Sequence, residues 1–266
     1  MNEISTDALA GMRSAYDRYY STGLYDQRYP RANARTLATI LARAGHAKRI
    51  LDFGSGDGRY TIPLLQRTAA TVFAYDICDV ALTTLGDRIG QSRDADRLRL
   101  VLGPTDDYSQ GEPIDLALAM FGVLGHIPRR AERVATLARM RESLKGRDPG
   151  LLILSVPNAK RRFYAEQRQF HNGDAWHHVA LEPGDIVYHR QADAEMIELF
   201  YHLYTPDSLR GELHDAGFEV LSMSSESVLP EAAVTGSGFQ AALDGLLCPF
   251  VPPSLGYGII VTAKSR

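Results

Sequence analysis

One stretch of this chain decides its fold: Ile50-Leu51-Asp52-Phe53-Gly54-Ser55-Gly56-Asp57-Gly58. It joins an apolar strand pattern to three alternating glycines that follow an acid. Glycine lets a strand turn sharply into a helix and lets backbone N–H groups approach a ligand closely. A dinucleotide fold needs a further glycine three residues after the second one, and that position is Arg59 here. The stretch therefore predicts a loop that binds a nucleotide cofactor. Because the third glycine of a dinucleotide fold is missing, a cofactor that contains a pyrophosphate would fit this loop poorly.

The acid in this stretch narrows the choice of ligand. Asp52 would repel a bound anion, but its carboxylate suits the ammonium of an amino-acid moiety through a charge-assisted hydrogen bond. The pattern Asp52-x-Gly54-x-Gly56-x-Gly58 resembles motif I of the class I S-adenosylmethionine-dependent methyltransferases. Later apolar strands follow in the family's order, at 72–76, 114–121 and 151–156. The resemblance covers residues 45–225, with a matching final strand at 258–262.

The resemblance implies how the cofactor, S-adenosylmethionine, is held. Asp76, at the end of the second strand, would accept hydrogen bonds from both ribose hydroxyls. Many relatives place an acid directly after a glycine to bind the adenine amino group, whereas this chain has Pro104 after Gly103. Adenine binding would then shift to Asp106 or to the backbone near Thr105. The implied cofactor-binding residues are Asp52, Gly54, Ser55, Gly56, Asp76, Ile77, Thr105, Asp106, Met120 and Phe121.

Strand and helix patterns alternate along the chain, which is typical of βαβ units and a parallel sheet. Amphipathic helices are predicted over 35–43 and 129–145, the second ending at Gly146 and carrying its many arginines on a solvated face. Thr205-Pro206 predicts the start of a further helix. Together with the resemblance, this gives an α/β fold. We expect a Rossmann-like, seven-stranded methyltransferase sheet, mostly parallel with the last strand antiparallel, and helices on both faces.

A single domain over 1–266 is expected, with three attachments to the core. They are an N-terminal flap at 1–34, a substrate-side insert at 157–204, and a lid or dimer segment at 226–256. The insert concentrates aromatic and cationic side chains that suit an anionic or planar acceptor. The N-terminal tyrosines Tyr16, Tyr20 and Tyr25 could instead be core aromatics. Arg161 and Arg162 in the insert could be a solvated surface. The candidate substrate-binding residues are Tyr16, Tyr25, Arg28, Arg161, Tyr164, Trp176, His177 and Tyr201.

Composition restricts the partners of the chain. Its formal net charge of -3 and pI of about 6.2 give no bulk attraction to nucleic acid or to an anionic membrane. No run of 18 apolar residues and no basic, apolar leader is present, so a cytoplasmic location is expected.

Cys78 and Cys248 have no redox or metal spacing and are expected to be free thiols. The adjacent His177 and His178 point in different directions, so no metal site is predicted.

Methyl transfer from a sulfonium mostly requires positioning of the acceptor. A carboxylate acceptor needs no base, whereas a hydroxyl or amine would pass its proton to His126 or to a histidine of the insert. His126 is therefore the candidate catalytic residue, although a purely structural histidine stays open. The sequence predicts a methyltransferase that acts on an oxygen atom, in a carboxylate or a hydroxyl, of a small-molecule substrate.

Two alternative functions stay open. Three short stretches, Asp185-Ile186, Tyr201-His202-Leu203-Tyr204 and residues 25–30, loosely resemble the tRNA wobble-uridine carboxymethyl methyltransferases, which implies methyl-ester formation on tRNA. Nucleic-acid binding would require the basic residues within 129–139 and 160–162 to form one basic face. Acidic residues lie within or close to these basic stretches in the sequence. A non-catalytic cofactor-binding subunit is the second alternative. A homodimer is also compatible with the sequence.

Overall fold

The computed structural model describes residues 6–90, 92–144, 150–171, 173–192 and 195–266. The first five residues of the predicted flap, and Gly146 as a predicted helix end, lie outside these ranges. In the described part of the chain, no helix is both long and apolar enough to cross a membrane. Cys78 and Cys248 are buried free thiols, as predicted.

A seven-stranded sheet forms the centre of the molecule. Its strands are β1 Arg49–Phe53, β2 Thr71–Asp76, β3 Leu98–Leu102, β4 Leu116–Ala119, β5 Leu151–Pro157, β10 Phe218–Ser227 and β11 Gly258–Ser265. Their order is β10-β11-β5-β4-β1-β2-β3. The strands from β5 to β3 are parallel to their neighbours, while β11 runs antiparallel between β5 and β10. The predicted Rossmann-like fold, with its antiparallel last strand, is confirmed.

Helices cover both faces of the sheet. They are α1 Thr6–Ser21, α2 Leu24–Arg28, α3 Ala34–Ala44, α4 Thr61–Arg67, α5 Asp79–Ile89, α6 Arg130–Ser143, α7 Tyr164–Gln167, α8 Pro206–Asp215, α9 Glu231–Gly236 and α10 Gly238–Leu247. Because side chains alternate along a strand, Ile50 packs with the α3, α4 and α5 layer while Leu51 packs with the α6 and α8 layer. The Thr205 side chain caps α8 through a capping box with Ser208, as the Thr205-Pro206 pattern predicts.

The insert after β5 builds two hairpins outside the sheet. They are β6 Ala175–Trp176 with β7 Val179–Ala180, and β8 Asp185–Ala192 with β9 Glu195–His202. Besides the apolar clusters on the two faces of the sheet, a third apolar cluster lies between the insert and α1. In this third cluster, Met12 of α1 packs with residues such as Trp176 and Ile197. The N-terminal segment therefore packs on the insert; its movement as a flap stays a prediction.

The prediction of a solvated arginine face on α6 is wrong for Arg133. Only 1% of its surface is exposed, and its guanidinium Nη2 lies 2.9 Å from Glu212 Oε1 on α8. Its Nε also donates to Glu212, so the buried charge is paired by more than one hydrogen bond. The partner lies 79 residues away in the chain, so the helical pattern of α6 alone could not identify it.

The segment 226–256 contains α9 and α10, which pack on each other, and Asp244 of α10 accepts hydrogen bonds from the N–H groups of Val228 and Leu229 just after β10. Its surface carries several exposed apolar side chains, including Phe239, Leu246 and Phe250. A role as lid or dimer contact stays a prediction.

Candidate functional site

The glycine loop between β1 and α4 passes close to two other elements. Gly54 has φ +74°, and a Cβ there would collide with the side chain of Val123, which follows β4. Gly56 has φ +55°, and a Cβ there would collide with the Tyr20 hydroxyl on α1. Glycine is therefore required both for the left-handed backbone and for the close approach.

Asp76 holds this loop and faces a cavity. Its Oδ2 accepts a hydrogen bond from the Gly56 N–H at 2.8 Å, and its Oδ1 accepts one from the Cys78 N–H at 2.9 Å. Burial raises the pKa of the Asp76 carboxyl, while the backbone donors act in the opposite direction. Each carboxylate oxygen has a second acceptor position, which suits a ligand with two adjacent hydroxyls.

Asp52 lies behind the loop and does not line the cavity. It is 1% exposed, and its Oδ2 accepts a hydrogen bond from Thr61 Oγ1 at 2.7 Å. Burial raises the pKa of Asp52 to about 6, although the Thr61 hydrogen bond lowers it. Ser55 and Gly56 also lie outside the cavity lining. Ammonium binding by Asp52 stays a prediction.

The first cavity, of about 320 Å³, lies at the carboxyl ends of β1, β2 and β4. Ligands of α/β sheets bind at this edge. Ten predicted site residues line it: Tyr16, Tyr25, Gly54, Asp76, Ile77, Thr105, Asp106, Met120, Phe121 and His126. Sequence reasoning missed Tyr75, Tyr108 and Arg139, because no motif marks them. The ring of Tyr75 stacks on that of Phe53 at 4.7 Å between centroids.

His126 contacts three aromatic or backbone groups at the wall of the first cavity. Its Nδ1 lies 2.9 Å from the Phe200 carbonyl oxygen, which can only accept, so Nδ1 carries the proton. Its Nε2 then accepts a hydrogen bond from the Tyr16 hydroxyl at 2.7 Å. The ring of Tyr201 stacks on the imidazole at 4.3 Å. Burial lowers the pKa of His126 to about 4, so the imidazole is neutral at pH 7.

Several predicted substrate-binding residues do not reach the first cavity. Trp176 is buried, and its indole N–H donates to Glu198 Oε1 at 2.8 Å. His177 is exposed beside it. Arg161 is exposed and donates to the Leu255 carbonyl. Tyr201 is absent from the linings of both cavities; its ring stacks on His126, and its hydroxyl lies beside Gly122 in the loop after β4.

A second cavity, of about 390 Å³, lies between the N-terminal segment, the insert and the 226–256 segment. Two predicted substrate-binding residues, Arg28 and Tyr164, line it. The full lining is Arg28, Tyr29, Arg162, Phe163, Tyr164, Ala165, Glu166, Arg190, Pro230, Glu231, Ala232 and Tyr257. The two cavities are neighbours, because the ring of Phe121 in the first lies 4.7 Å from that of Tyr29 in the second.

Two buried acids at the second cavity were not predicted: Glu231, which is in its lining, and Glu226, which is not. Thr36 Oγ1 donates to Glu226 Oε1 at 3.2 Å, and burial together with the nearby Glu231 raises the pKa of Glu226 to about 8. Burial also raises the pKa of Glu231. Sequence patterns contain no signal for these residues, since acids in this segment are expected on the surface.

A family model described as a methyltransferase domain matches residues 25–223. The chain belongs to this family. S-adenosylmethionine is the cofactor of this methyltransferase, and the residues present fit it. Asp76 offers two acceptor oxygens for the ribose, and Ser55 Oγ is a buried hydroxyl with no hydrogen-bond partner among the described residues. Which residue contacts which atom of the cofactor stays a prediction.

Solved structures with the same fold include other methyltransferases. The CcbJ methyltransferase from Streptomyces caelestis is 17% identical to this methyltransferase, with a TM-score of 0.61, over 87% of this chain and 94% of that chain. The 1,6-didemethyltoxoflavin-N1-methyltransferase from Burkholderia thailandensis was solved with 1,6-didemethyltoxoflavin and S-adenosylhomocysteine bound. It is 21% identical, with a TM-score of 0.61, over 97% of this chain and 88% of that chain.

A curated relative matches only a short region. The tRNA1(Val) (adenine(37)-N6)-methyltransferase from Shewanella sp. (strain W3-18-1) is 37% identical over 67 residues. The match spans 25% of this chain and 28% of that protein. It therefore supports the shared methyltransferase domain and transfers no substrate.

Proposed function

We propose that this methyltransferase transfers a methyl group to a hydroxyl oxygen of a small molecule. The observation that carries the proposal is the hydrogen-bonded pair of Tyr16 and His126 at the wall of the first cavity. A carboxylate acceptor would not need a proton acceptor, whereas a hydroxyl loses its proton on methylation. The pair therefore favours a hydroxyl over the carboxylate that the sequence left equally open.

Tyr16 and His126 form a route for that proton. Bound S-adenosylmethionine supplies a methyl group on a sulfonium, whose sulfur keeps the bonding electrons when the acceptor oxygen attacks the methyl carbon. The Tyr16 hydroxyl accepts the proton of the acceptor and passes its own proton to His126 Nε2. The hydrogen bond from Nδ1 to the Phe200 carbonyl fixes the tautomer that leaves Nε2 free to accept.

The lowered pKa of His126 limits how much this residue contributes to catalysis as a proton acceptor. Its value of about 4 keeps the imidazole neutral at pH 7, with Nε2 free to accept a proton, but it also makes His126 a weak base that passes the proton on to solvent. Most of the rate enhancement must then come from alignment of the acceptor and exclusion of water. The aromatic side chains around the cavity, including Tyr25 and Phe121, serve that purpose.

The proposal is tested by incubating the protein with S-adenosylmethionine and a panel of small phenols, alcohols, carboxylic acids and amines. Mass spectrometry and NMR identify the methylated atom. We expect methyl ethers, and we expect Tyr16→Phe to lower kcat by about a hundredfold, as for loss of a positioned proton acceptor. Tyr19→Phe, on the same helix but outside the linings of both cavities, is the control. Methylation of amines alone would contradict the proposal.

The tRNA alternative has one supporting observation, the short match to a tRNA methyltransferase. Three of the four arginines of α6 argue against tRNA binding, because each of these three is paired with an acid. Arg130 contacts Asp215, Arg133 contacts Glu212, and Arg139 Nε lies 3.2 Å from Asp106 Oδ1. RNA affinity comes largely from cations that neutralise phosphates. Filter binding to bulk tRNA over a range of salt concentrations, with methyl incorporation, would decide the question.

A further inference from the structure

The second cavity has no part in the proton route described above, yet two buried polar atoms of its lining, Arg162 Nε and Glu231 Oε1, have no hydrogen-bond partner among the described residues. We propose that it binds the carboxylate of a planar aromatic acid, and that this acid carries the hydroxyl that is methylated. This inference rests on the proposed function for the identity of the reacting group. The binding of the carboxylate itself stands on the geometry of the cavity.

Three arginines supply the positive charge of this cavity. Arg28, Arg162 and Arg190 come from α2, from the segment before α7 and from β8. The Nε of Arg162 is buried and donates to no acceptor among the described residues. A buried donor without a partner requires a water, an ion or a ligand to satisfy it. The planar guanidinium fork matches a carboxylate with two parallel hydrogen bonds.

Arg59 adds a second group of unpartnered donors beside the same wall. Both of its Nη atoms are buried and have no partner among the described residues. Its guanidinium lies over the rings of Phe121 and Tyr29, at 4.2 and 5.2 Å from their centroids. The positive charge therefore continues from the second cavity to the ring that lines the first. An acid held in the second cavity would have its other end at this boundary.

Aromatic rings line much of the second cavity and favour a flat molecule. Tyr29, Phe163, Tyr164 and Tyr257 all contribute to the lining, and the Arg162 guanidinium lies 4.8 Å from the Tyr257 centroid. Rings of this kind bind a planar body by offset or edge-on stacking. The volume of about 390 Å³ lies within the range of small-molecule sites.

The cavity also contains two acids. Glu166 is half-buried in the lining, and Glu231 is buried with Oε1 unpartnered among the described residues. Burial raises the pKa of Glu231, while Arg162 and Arg59 act in the opposite direction. The three positive charges of the arginines outweigh the charges of Glu166 and Glu231 even when both acids are ionised. A neutral or cationic ligand would leave the net positive charge of the cavity uncompensated, which disfavours such a ligand.

Calorimetry with the S-adenosylhomocysteine complex tests the inference. The probes are aromatic monocarboxylic acids of one and two rings, such as 4-hydroxybenzoate, each compared with its neutral amide. We expect the acids to bind more tightly than the amides, and Arg162→Gln and Arg190→Gln each to weaken acid binding about tenfold, the loss of one charge-assisted hydrogen bond. Arg168→Gln, exposed on the same insert and outside both cavities, is the matched control.

The outcomes of these experiments distinguish a failure of the proposed carboxylate site from a failure of the proposed methyl-transfer reaction. Equal binding of acids and amides would overturn the inference, and so would equal weakening by Arg168→Gln. Inorganic phosphate that binds as tightly as the acids would show an anion site without aromatic selectivity and would also overturn it. Retained affinity for S-adenosylhomocysteine shows that each variant is folded. Acid binding without methyl ether formation would contradict the proposed function alone; methyl transfer at wild-type kcat/KM by Arg162→Gln would contradict this inference alone.

Discussion

The buried Glu226 provides the sharpest test of the electrostatics in this molecule. It lies on β10 with 4% of its surface exposed, and it accepts a hydrogen bond from Thr36. Its pKa of about 8 means that the folded state keeps a proton that the unfolded chain, with a pKa of 4.5, releases at neutral pH. The variant Glu226→Gln keeps the shape of the protonated acid and cannot ionise. We therefore expect it to be more stable than the wild type.

The size of the gain follows from linkage. The folded state binds more protons than the unfolded state between pH 4.5 and 8, so the wild type loses stability as the pH rises through that window. One pKa unit corresponds to about 1.4 kcal/mol. Glu226→Gln should gain less than about 1 kcal/mol at pH 5, about 3 kcal/mol at pH 7 and about 5 kcal/mol at pH 9, where the difference levels off.

Urea denaturation at pH 5, 7 and 9 measures these differences, provided that the slope of the unfolding free energy against urea is unchanged. The control is Glu219→Gln on the same strand, where an exposed glutamate lies 3.1 Å from Lys264 Nζ. A surface pair of this kind contributes about 1 kcal/mol or less. A difference between Glu226→Gln and the wild type that is zero, or that does not change between pH 5 and 9, would refute the reasoning.

Three further predictions concern the cofactor loop and its surroundings. Asp76→Ala should weaken S-adenosylmethionine binding by about 1 to 3 kcal/mol in calorimetry, and unchanged affinity would exclude a role in cofactor binding. As the pH falls from 6.5 to 4, the wild type should lose up to about 3 kcal/mol of stability, because His126 takes up a proton in the unfolded state but not in the folded state. His126→Gln should lack this loss, so its Tm should fall less steeply than that of the wild type over this pH range. Gly54→Ala should lower Tm and cofactor affinity together because its Cβ meets Val123, whereas Gly45→Ala, with open space around it, should leave both unchanged.

The core of the fold was predictable because its signals are local. The strand from Arg49, the glycine loop and the cap at Thr205 are each encoded within about ten residues. The fold around the cofactor loop could therefore be placed from motif and spacing alone. The roles of the individual cofactor-binding residues stay predictions, although the structure brings most of them to one cavity.

The rest of the site depends on pairs that are far apart in sequence. Tyr16 and His126 are 110 residues apart, and the sequence named both without indicating that they share a hydrogen bond. Trp176 was expected at the substrate because it lies in an aromatic insert, but its ring completes the apolar cluster between that insert and α1. Residue type does not distinguish these outcomes, because an aromatic side chain suits a core and a binding site equally.

The position of β11 affects the order in which the molecule can be made. This strand fills the gap between β5 and β10, yet roughly 100 residues of chain separate it from β5. At a synthesis rate of roughly 5 to 20 residues per second, β5 waits about 5 to 20 s on the ribosome with one edge unpaired. An open edge of this kind can pair with another nascent chain. The yield of native protein should therefore depend on how quickly translation reaches residues 258–265, and slow codons between β10 and β11 should lower it.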